Sequence, residues 1–327
     1  MAREGKATGP TVFDPFRYHV ELPFRADLCP LGFGLELLTN SEEVLQAARE
    51  GWDGFPRLFP DPVLQVRVAV AEDHPAPCPA GLIFRAQRHL LALISDEANF
   101  AICDLRERFA FCWISAATAR QRDWFRYYYL DTIIHLILWH SHLTRVHASC
   151  VARNGEGVLL TGPSGAGKTC LAYACARHGW TFIADEACSL LRRSSDRVVL
   201  GKPHQIHFRD TAVGILPELD GRLAARNPVG KMTIELHTAE LPGITTGYHC
   251  RARALVFLNR RTDGPARLLP FSRDEAWRLL EQDLPWFEQP AHDEHKASLR
   301  NLIDAGVYEL RYSDLNSAVT ELDSLAS

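Results

Sequence analysis

The residues with the clearest chemical capability form one short run. Positions 162–169 spell G-P-S-G-A-G-K-T, which fits the pattern G-x-x-x-x-G-K-[ST]. The glycines of this pattern allow backbone N–H groups to approach phosphate oxygens, the lysine carries a positive charge to the terminal phosphates, and the threonine hydroxyl can hold Mg²⁺. We therefore predict a nucleotide phosphate site with eight contact residues. They are Gly162, Pro163, Ser164, Gly165, Ala166, Gly167, Lys168 and Thr169.

The segments on both sides favour this interpretation. An apolar run at 157–161 has the length and composition of a buried strand, and residues 170–178 have the pattern of a helix that stops at Gly179. A helix that begins at the loop also directs its positive end toward a bound anion. The alternative is a glycine-rich turn that binds nothing.

Asp185 is the next residue with a predicted role. It follows Lys168 by 17 positions. About ten helical residues descend about 15 Å, and five strand residues then climb back about 16 Å. The chain therefore returns to the height of the loop at Asp185, where a carboxylate can bind Mg²⁺ or accept a proton from an attacking hydroxyl. The alternative is an acidic turn residue at a strand end.

The predicted register of a hairpin places His147 beside the phosphate loop. Asn154-Gly155 strongly favours a two-residue type I′ turn between segments 146–151 and 158–161. With that turn, paired positions sum to 309, and His147 falls opposite Gly162. The alternative is a structural histidine. A metal site formed by His140, His142 and His147 is not expected, because residues two apart on a helix point to different faces.

The remaining pattern indicates an α/β (α+β) fold with two domains. Residues 1–116 are predicted as a strand-rich domain of unknown role that follows a flexible tail of ten residues. Alternation predicts strands at 66–70, 81–85, 89–94 and 108–113, with a helix beginning at Ser41 and a proline-rich loop at 73–79. Residues 117–327 are predicted as a connecting helix, 118–143, followed by the phosphate-loop domain. Helices are expected at 272–284, 294–305 and 314–325, and strands at 181–185, 187–191, 198–200, 232–236, 254–258 and 307–311.

Composition limits the class of protein. Hydrophobic residues make up 46% and charged residues 23% of the chain, and the net charge is −4. These values are typical of a soluble globular protein and do not indicate a nucleic-acid or membrane surface. Nine cysteines without a C-x-x-C pair favour free thiols in a reducing compartment. No signal peptide or sufficiently long apolar stretch is found, so a cytoplasmic location is expected.

The motif-bearing segments together resemble the catalytic domain of HPr kinase/phosphorylase and its relatives, which share a nucleotide-binding core with phosphoenolpyruvate carboxykinase. The resemblance covers residues 144–191 well and later residues loosely. It implies that Asp185 is the metal-linked or proton-handling acid, that Glu186 adjoins the metal, and that His147 helps to position or tune the acid. Arg209 and Lys231 resemble basic positions that follow the core in related kinases, although both also fit solvated surface charges.

The departures from that family concern the acceptor. The paired aspartates of the family appear here as Asp185-Glu186, the Glu-x-Arg-Gly run is absent, and the first 115 residues match no part of the N-terminal domain of HPr kinase. A relative with a different acceptor is therefore expected. Some relatives phosphorylate a serine of a precursor peptide in lasso-peptide pathways, and others act on small hydroxyl compounds. The family also implies a possible homo-oligomer.

The sequence thus predicts a kinase that uses ATP and Mg²⁺. Lys168 binds the β- and γ-phosphates, Thr169 the metal, and Asp185 activates an acceptor hydroxyl, most simply a serine of a peptide or protein. Two alternatives stay open: a kinase of small hydroxyl compounds, and a non-catalytic regulator that senses ATP. A carboxykinase-like lyase is disfavoured, because no signature for binding oxaloacetate is found.

Overall fold

A computed structural model describes residues 20–60, 63–71, 81–228, 230–241, 243–285 and 287–325. Contacts divide the chain into two compact units, Met1–Ile133 and Ile134–Ser327. The division falls within the helical segment that begins near the predicted boundary at residue 116. The predicted N-terminal tail and the whole proline-rich loop at 73–79 lie outside the described residues. Across the described ranges, no helix combines the length and apolar character that crossing a bilayer requires.

The first unit is built on a seven-stranded sheet. Its spatial order is β1-β2-β3-β7-β6-β5-β4, in which β2, β3 and β7 run parallel and the other neighbours antiparallel. The predicted strands of this region are all present, and β1, β2 and β6 are additional. The strands are β1 Phe24–Leu28, β2 Gly34–Thr39, β3 Val63–Ala71, β4 Ile83–Gln87, β5 Leu90–Asp96, β6 Asn99–Asp104 and β7 Phe109–Ser115.

The predicted helix after Ser41 is confirmed as α1, Glu42–Trp52. The Ser41 hydroxyl accepts a hydrogen bond from the Val44 N–H at 3.5 Å, which satisfies one of the amides at the helix start. At the other end, the buried Trp52 indole donates to Asp131 at 2.7 Å. A short 3₁₀ turn, Pro30–Gly32, precedes β2.

The prediction of one continuous helix over 118–143 is wrong. The structure has α2 Ala116–Arg120, α3 Arg122–Phe125, a π-helical segment Arg126–Asp131 and α4 Thr132–Ser141. Gln121 breaks the run with φ −85° and ψ 65°, outside the helical region. In the π-helical segment, the buried Tyr129 hydroxyl donates to the Asn99 carbonyl at 2.7 Å. Tertiary contacts of this kind, which helical periodicity does not register, accompany the wider turn.

The second unit contains a larger sheet whose main path is β17-β11-β9-β10-β18-β13-β12-β8, with β20 paired to β18 and β19. A small separate sheet has the order β14-β16-β15. The first ten strands of the second unit are β8 Leu143–Val146, β9 Ser149–Arg153, β10 Glu156–Thr161, β11 Thr181–Ala184, β12 Cys188–Leu191, β13 Val198–Leu200, β14 Gln205–Arg209, β15 Ala225–Arg226, β16 Met232–His237 and β17 Thr245–Thr246. The last three are β18 His249–Arg260, β19 Arg267–Pro270 and β20 Val307–Tyr312.

Helices cover both faces of the larger sheet. They are α5 Lys168–Arg177, α6 Arg273–Glu281, α7 Ala291–Ala305 and α8 Leu315–Asp323, with 3₁₀ turns at Asp210–Ala212, Pro217–Leu219 and Thr238–Glu240. One buried cluster joins α5 and α8 to one face, and a second joins α6 and α7 to the other. The mixed α/β class is therefore confirmed. The helix α6 ends three residues earlier than predicted, at Glu281.

Three parallel strands bring their carboxyl ends to one edge of this sheet. Strand β18 runs parallel to both β10 and β20. Thr161, the last residue of β10, is level with Phe257, so β18 continues beside the loop that follows β10. Loops at the carboxyl ends of parallel strands form the usual ligand site of α/β proteins. The fold thus gathers the predicted site residues at this edge.

A buried histidine between α7 and β8 makes the fold sensitive to acid. His295 is fully buried, and its Nδ1 lies 2.9 Å from the Thr144 hydroxyl. Burial, together with the charge of Arg192, lowers the pKa of His295 to about 3. The folded protein therefore keeps this ring neutral, whereas the unfolded chain protonates it below about pH 6.5. The stability that the neutral His295 ring contributes is therefore fully present above about pH 6.5 and is lost as the pH falls toward 3.

We expect His295→Gln to reduce this acid destabilisation, because a glutamine can also hydrogen-bond to the Thr144 hydroxyl and does not titrate. Between pH 7 and pH 4.5 the wild type should lose about 2–3 kcal/mol more unfolding free energy than the variant. Urea unfolding at both pH values measures the difference. The exposed His249 supplies the control His249→Gln, which should lose as much stability as the wild type. Equal losses in all three proteins would contradict the assignment to His295.

Candidate active site

The phosphate loop has the backbone that its motif requires. It connects β10 to α5, and Gly162, Gly165 and Gly167 have φ of 145°, 88° and 94°. These values are favourable only for glycine. A side chain at Gly162 would also approach the Leu258 carbonyl oxygen to 3.2 Å, so β18 packs directly against the start of the loop. Gly167 is also the N-cap residue of α5, so the loop leads directly into the start of that helix.

Lys168, the first residue of α5, folds back over its own loop. Its ammonium donates to the carbonyl oxygens of Gly162 at 2.8 Å and Pro163 at 3.3 Å, and the residue is only 8% exposed. Burial lowers the pKa of Lys168, while the nearby carboxylates of Glu186 and Asp185 oppose that shift. Phosphate oxygens would replace the two carbonyls as stronger partners for the ammonium.

The predicted hairpin register is confirmed from Glu156 to Leu160, and the observed pairs stop short of His147 and Gly162. Glu156 pairs with Arg153, and each further pair to Leu160 with Ser149 sums to 309. Asn154 and Gly155 both have positive φ, as a type I′ turn requires. This register places Ser149 opposite Leu160, two residues before the loop begins at Gly162. Ser149 was not predicted as a site residue.

His147 lies at a break between two strands, not within one strand as predicted. The Ala148 N–H donates to the Val146 carbonyl at 2.9 Å, a tight turn that ends β8 before β9 begins. The two strands have different partners, since β8 pairs with β12 and β9 with β10 and β11. The His147 carbonyl accepts from the Thr161 hydroxyl at 3.0 Å, which holds this break beside the loop.

The imidazole of His147 is half-buried and close enough to Lys168 for the two charges to interact. Burial lowers the pKa of His147, and the positive charges of Lys168 and Arg145 lower it further. Glu186 acts in the opposite direction. The ring is therefore neutral near pH 7, a state in which one nitrogen donates and the other accepts a hydrogen bond.

Asp185 faces the phosphate loop at the end of β11. Its Oδ1 accepts from the Thr169 hydroxyl at 2.8 Å and the Ser149 hydroxyl at 3.2 Å, and its Oδ2 accepts from the His207 N–H at 3.0 Å. Burial raises the pKa of Asp185, and the neighbouring Glu186 raises it as well. The bonds from His207 and Thr169 oppose this shift. The carboxylate is thus held in one orientation, while its burial and the neighbouring Glu186 disfavour its negative charge.

Glu186 and two basic residues complete the group predicted from the sequence. Glu186 is exposed and has φ of 60°, an uncommon conformation for a non-glycine residue and a frequent one at functional sites. Arg209, at the end of β14, donates to the Ser164 hydroxyl at 2.6 Å and thereby reaches the loop. Lys231 is exposed beside β16, and its charge contributes to the lowered pKa of Lys168.

Sequence reasoning missed a second histidine near Asp185. His207 contacts Asp185 through its backbone, and its Nε2 lies 3.3 Å from Glu235, which also accepts from Gln205 at 2.6 Å. Burial disfavours the charged form of His207, but Glu235 outweighs it and raises the pKa. No motif marks this pair, because β14 and β16 are separated by a long connection. Of the residues near Asp185 that were not predicted, only Ser149 could have been found from the sequence, because the hairpin register places it close to the loop.

The residues at the loop suit a magnesium–nucleotide complex. Across the described ranges, no three His, Cys, Asp or Glu side chains form a group able to hold a metal by themselves. Thr169 and Asp185 instead present two oxygens 2.8 Å apart, and both are of the type that Mg²⁺ prefers. Magnesium in nucleotide sites takes one or two protein oxygens and obtains the rest from phosphates and water. The pair therefore fits a metal that arrives with a nucleotide.

Comparison with known proteins gives a local similarity. No protein-family model matches the chain. A stretch of 78 residues is 38% identical to the HPr kinase/phosphorylase of Lactobacillus delbrueckii subsp. bulgaricus; it covers 23% of this chain and 24% of that relative. The chain thus spans about a quarter of the length of the curated relative it matches. The HPr(Ser) kinase/phosphatase from Coxiella burnetii superposes with a TM-score of 0.31 and 12% identity, covering 55% of this chain and 95% of that one.

Proposed function

We propose that this protein is a magnesium-dependent kinase that transfers the γ-phosphate of ATP to a hydroxyl, most simply a serine of a peptide or protein. The observation that carries the proposal is the 2.8 Å contact between Thr169 of the phosphate loop and Asp185. It joins a phosphate-binding element to a carboxylate that can accept a proton. The local similarity to a curated HPr kinase/phosphorylase supports the same class of reaction.

In this mechanism the loop amides and Lys168 hold the β- and γ-phosphates. Thr169 and Asp185, with Glu186 adjoining, would hold Mg²⁺, which would supply neutralising charge to the phosphates. The acceptor oxygen forms a bond to the γ-phosphorus as the bond from that phosphorus to the bridging oxygen of ADP breaks. Asp185 takes the proton of the acceptor hydroxyl, and Arg209 and Lys231 stabilise the transferred charge. Neutral His147 stays available as a hydrogen-bond partner near Lys168 and Glu186.

The acceptor is proposed to be a serine because the curated relative with local similarity is an HPr kinase/phosphorylase. A precursor peptide of the lasso type is one such acceptor. The proposal does not require HPr itself, because the similarity covers only a quarter of that relative.

The direct test incubates the purified full chain with Mg²⁺ and γ-³²P-labelled ATP. A library of peptides with one serine in varied contexts is compared with the same library in which alanine replaces serine. A panel of small hydroxyl compounds, glycerol and free serine among them, is assayed in parallel. We expect label in serine peptides alone, with equimolar ADP. Label in small compounds alone would assign the other acceptor class, and ATP binding with no ADP formation would contradict a kinase and favour an ATP sensor.

A further inference from the structure

The ring of Tyr312 lies against the phosphate loop, far along the chain from the motif. Tyr312 is the last residue of β20 and is only 1% exposed. Its hydroxyl donates to the Ala166 carbonyl at 2.7 Å. A Cβ atom at Gly167 would lie 2.3 Å from the same hydroxyl oxygen, so the tyrosine contacts two successive loop residues.

The hydrogen bond fixes the orientation of one peptide unit. The carbonyl of Ala166 and the N–H of Gly167 belong to the same planar trans peptide, so they point in opposite directions. Because Tyr312 holds the carbonyl toward β20, the N–H is directed away from β20. Gly167 has φ of 94°, and glycine tolerates many backbone angles. Without a fixed partner, this peptide could therefore rotate and present its carbonyl where the N–H now lies.

We propose that Tyr312 is a positioning residue of the phosphate site, whose hydroxyl keeps the Gly167 N–H directed toward a bound phosphate. This proposal rests on the proposed function in one respect: it takes the bound phosphate to be part of a nucleotide. A carbonyl in place of the N–H would repel phosphate oxygens, because two acceptors would then face each other. Tyr312 thus acts through the loop and does not itself touch the ligand.

The protonated hydroxyl and the paired backbone of Tyr312 make this residue a rigid support. Burial raises the pKa of Tyr312 to about 12, so the hydroxyl retains its proton and donates throughout the neutral range. The backbone is fixed as well, since Tyr312 pairs with Arg260 of β18 and its carbonyl accepts from the Arg261 N–H at 2.8 Å. The same strand, β18, packs against Gly162 at the start of the loop. Both ends of the loop are therefore supported by the central sheet.

The test compares Tyr312→Phe with Tyr308→Phe. Both residues lie on β20, but the ring of Tyr308 lies near Gly306, before the first residue of the strand. Titration calorimetry with MgADP measures affinity, and amide hydrogen exchange measures the opening of residues 162–169 in the ligand-free protein. We expect Tyr312→Phe to bind MgADP five- to tenfold more weakly and to exchange faster in the loop, whereas Tyr308→Phe changes affinity less than twofold.

The outcomes separate a positioning role from a structural one. If Tyr312→Phe binds MgADP within twofold of the wild type with unchanged exchange, the inference is overturned. It is also overturned if both variants lose affinity in proportion to their melting temperatures. If the wild type itself fails to bind MgADP, the proposed function fails. Exchange at residues 162–169 then decides the role of Tyr312 by itself: faster exchange in Tyr312→Phe supports it, and unchanged exchange overturns it.

Discussion

Lys168→Ala should weaken MgATP binding by about 100-fold or more and remove phosphoryl transfer. The ammonium is the only group in the motif that brings a full positive charge to the terminal phosphates. In the ligand-free protein it donates to the carbonyls of Gly162 and Pro163, and both lie at a loop that solvent can reach. Water can therefore take over those carbonyls in the variant.

The fold should survive this substitution, which keeps the measurement interpretable. Burial lowers the pKa of Lys168, so the folded protein already disfavours its charge, and removing that charge should alter the unfolding free energy by only about 1 kcal/mol. Titration calorimetry with MgATP and urea unfolding measure the two quantities. Lys296→Ala, which removes a partly exposed lysine from α7, is the matched control and should leave affinity unchanged. Tight MgATP binding by Lys168→Ala would refute the nucleotide site.

Asp185→Asn should reduce phosphoryl transfer by about 1,000-fold or more while MgATP binding falls much less. Asparagine retains an oxygen that can accept from Thr169, so the loop keeps its partner. It cannot accept the proton of the acceptor hydroxyl, and it binds magnesium more weakly than a carboxylate does. The rate of ADP formation with a serine acceptor and the dissociation constant of MgATP separate the two effects.

An exposed carboxylate provides the control for this variant. Asp220→Asn changes the same functional group in the same unit, away from the phosphate loop, and should transfer phosphate at the wild-type rate. Asp185→Ala should behave like Asp185→Asn in transfer. Full turnover by either Asp185 variant would show that another group accepts the proton, and the assignment of the acid would be wrong.

The parts of the site that could be predicted depend on local geometry. A helix and a strand have fixed rises per residue, so counting from Lys168 was enough to bring Asp185 to the height of the loop. A two-residue turn fixes the register of its hairpin, so Asn154-Gly155 determined every pair up to Leu160. These features do not depend on the rest of the chain.

The parts that could not be predicted depend on contacts between distant segments. The break at His147 follows from the pairing of β8 with β12, which no pattern in residues 143–151 encodes. The His207 N–H reaches Asp185 from 22 positions away, and the Tyr312 hydroxyl reaches Ala166 from 146 positions away. The interrupted helix before α4 has the same origin, since Tyr129 bonds to residues of the first sheet.

The opposite charges of Lys168 and Asp185 are both disfavoured by their burial. Burial lowers the pKa of the lysine and raises that of the aspartate, so each is shifted toward its neutral form. A polyphosphate stabilises the first charge and a divalent cation the second. For the proposed kinase, either component alone would leave one of these two costs in place. By reciprocity of linked equilibria, each component would then strengthen the binding of the other, and such a site would favour the preformed metal–nucleotide complex over its separate parts.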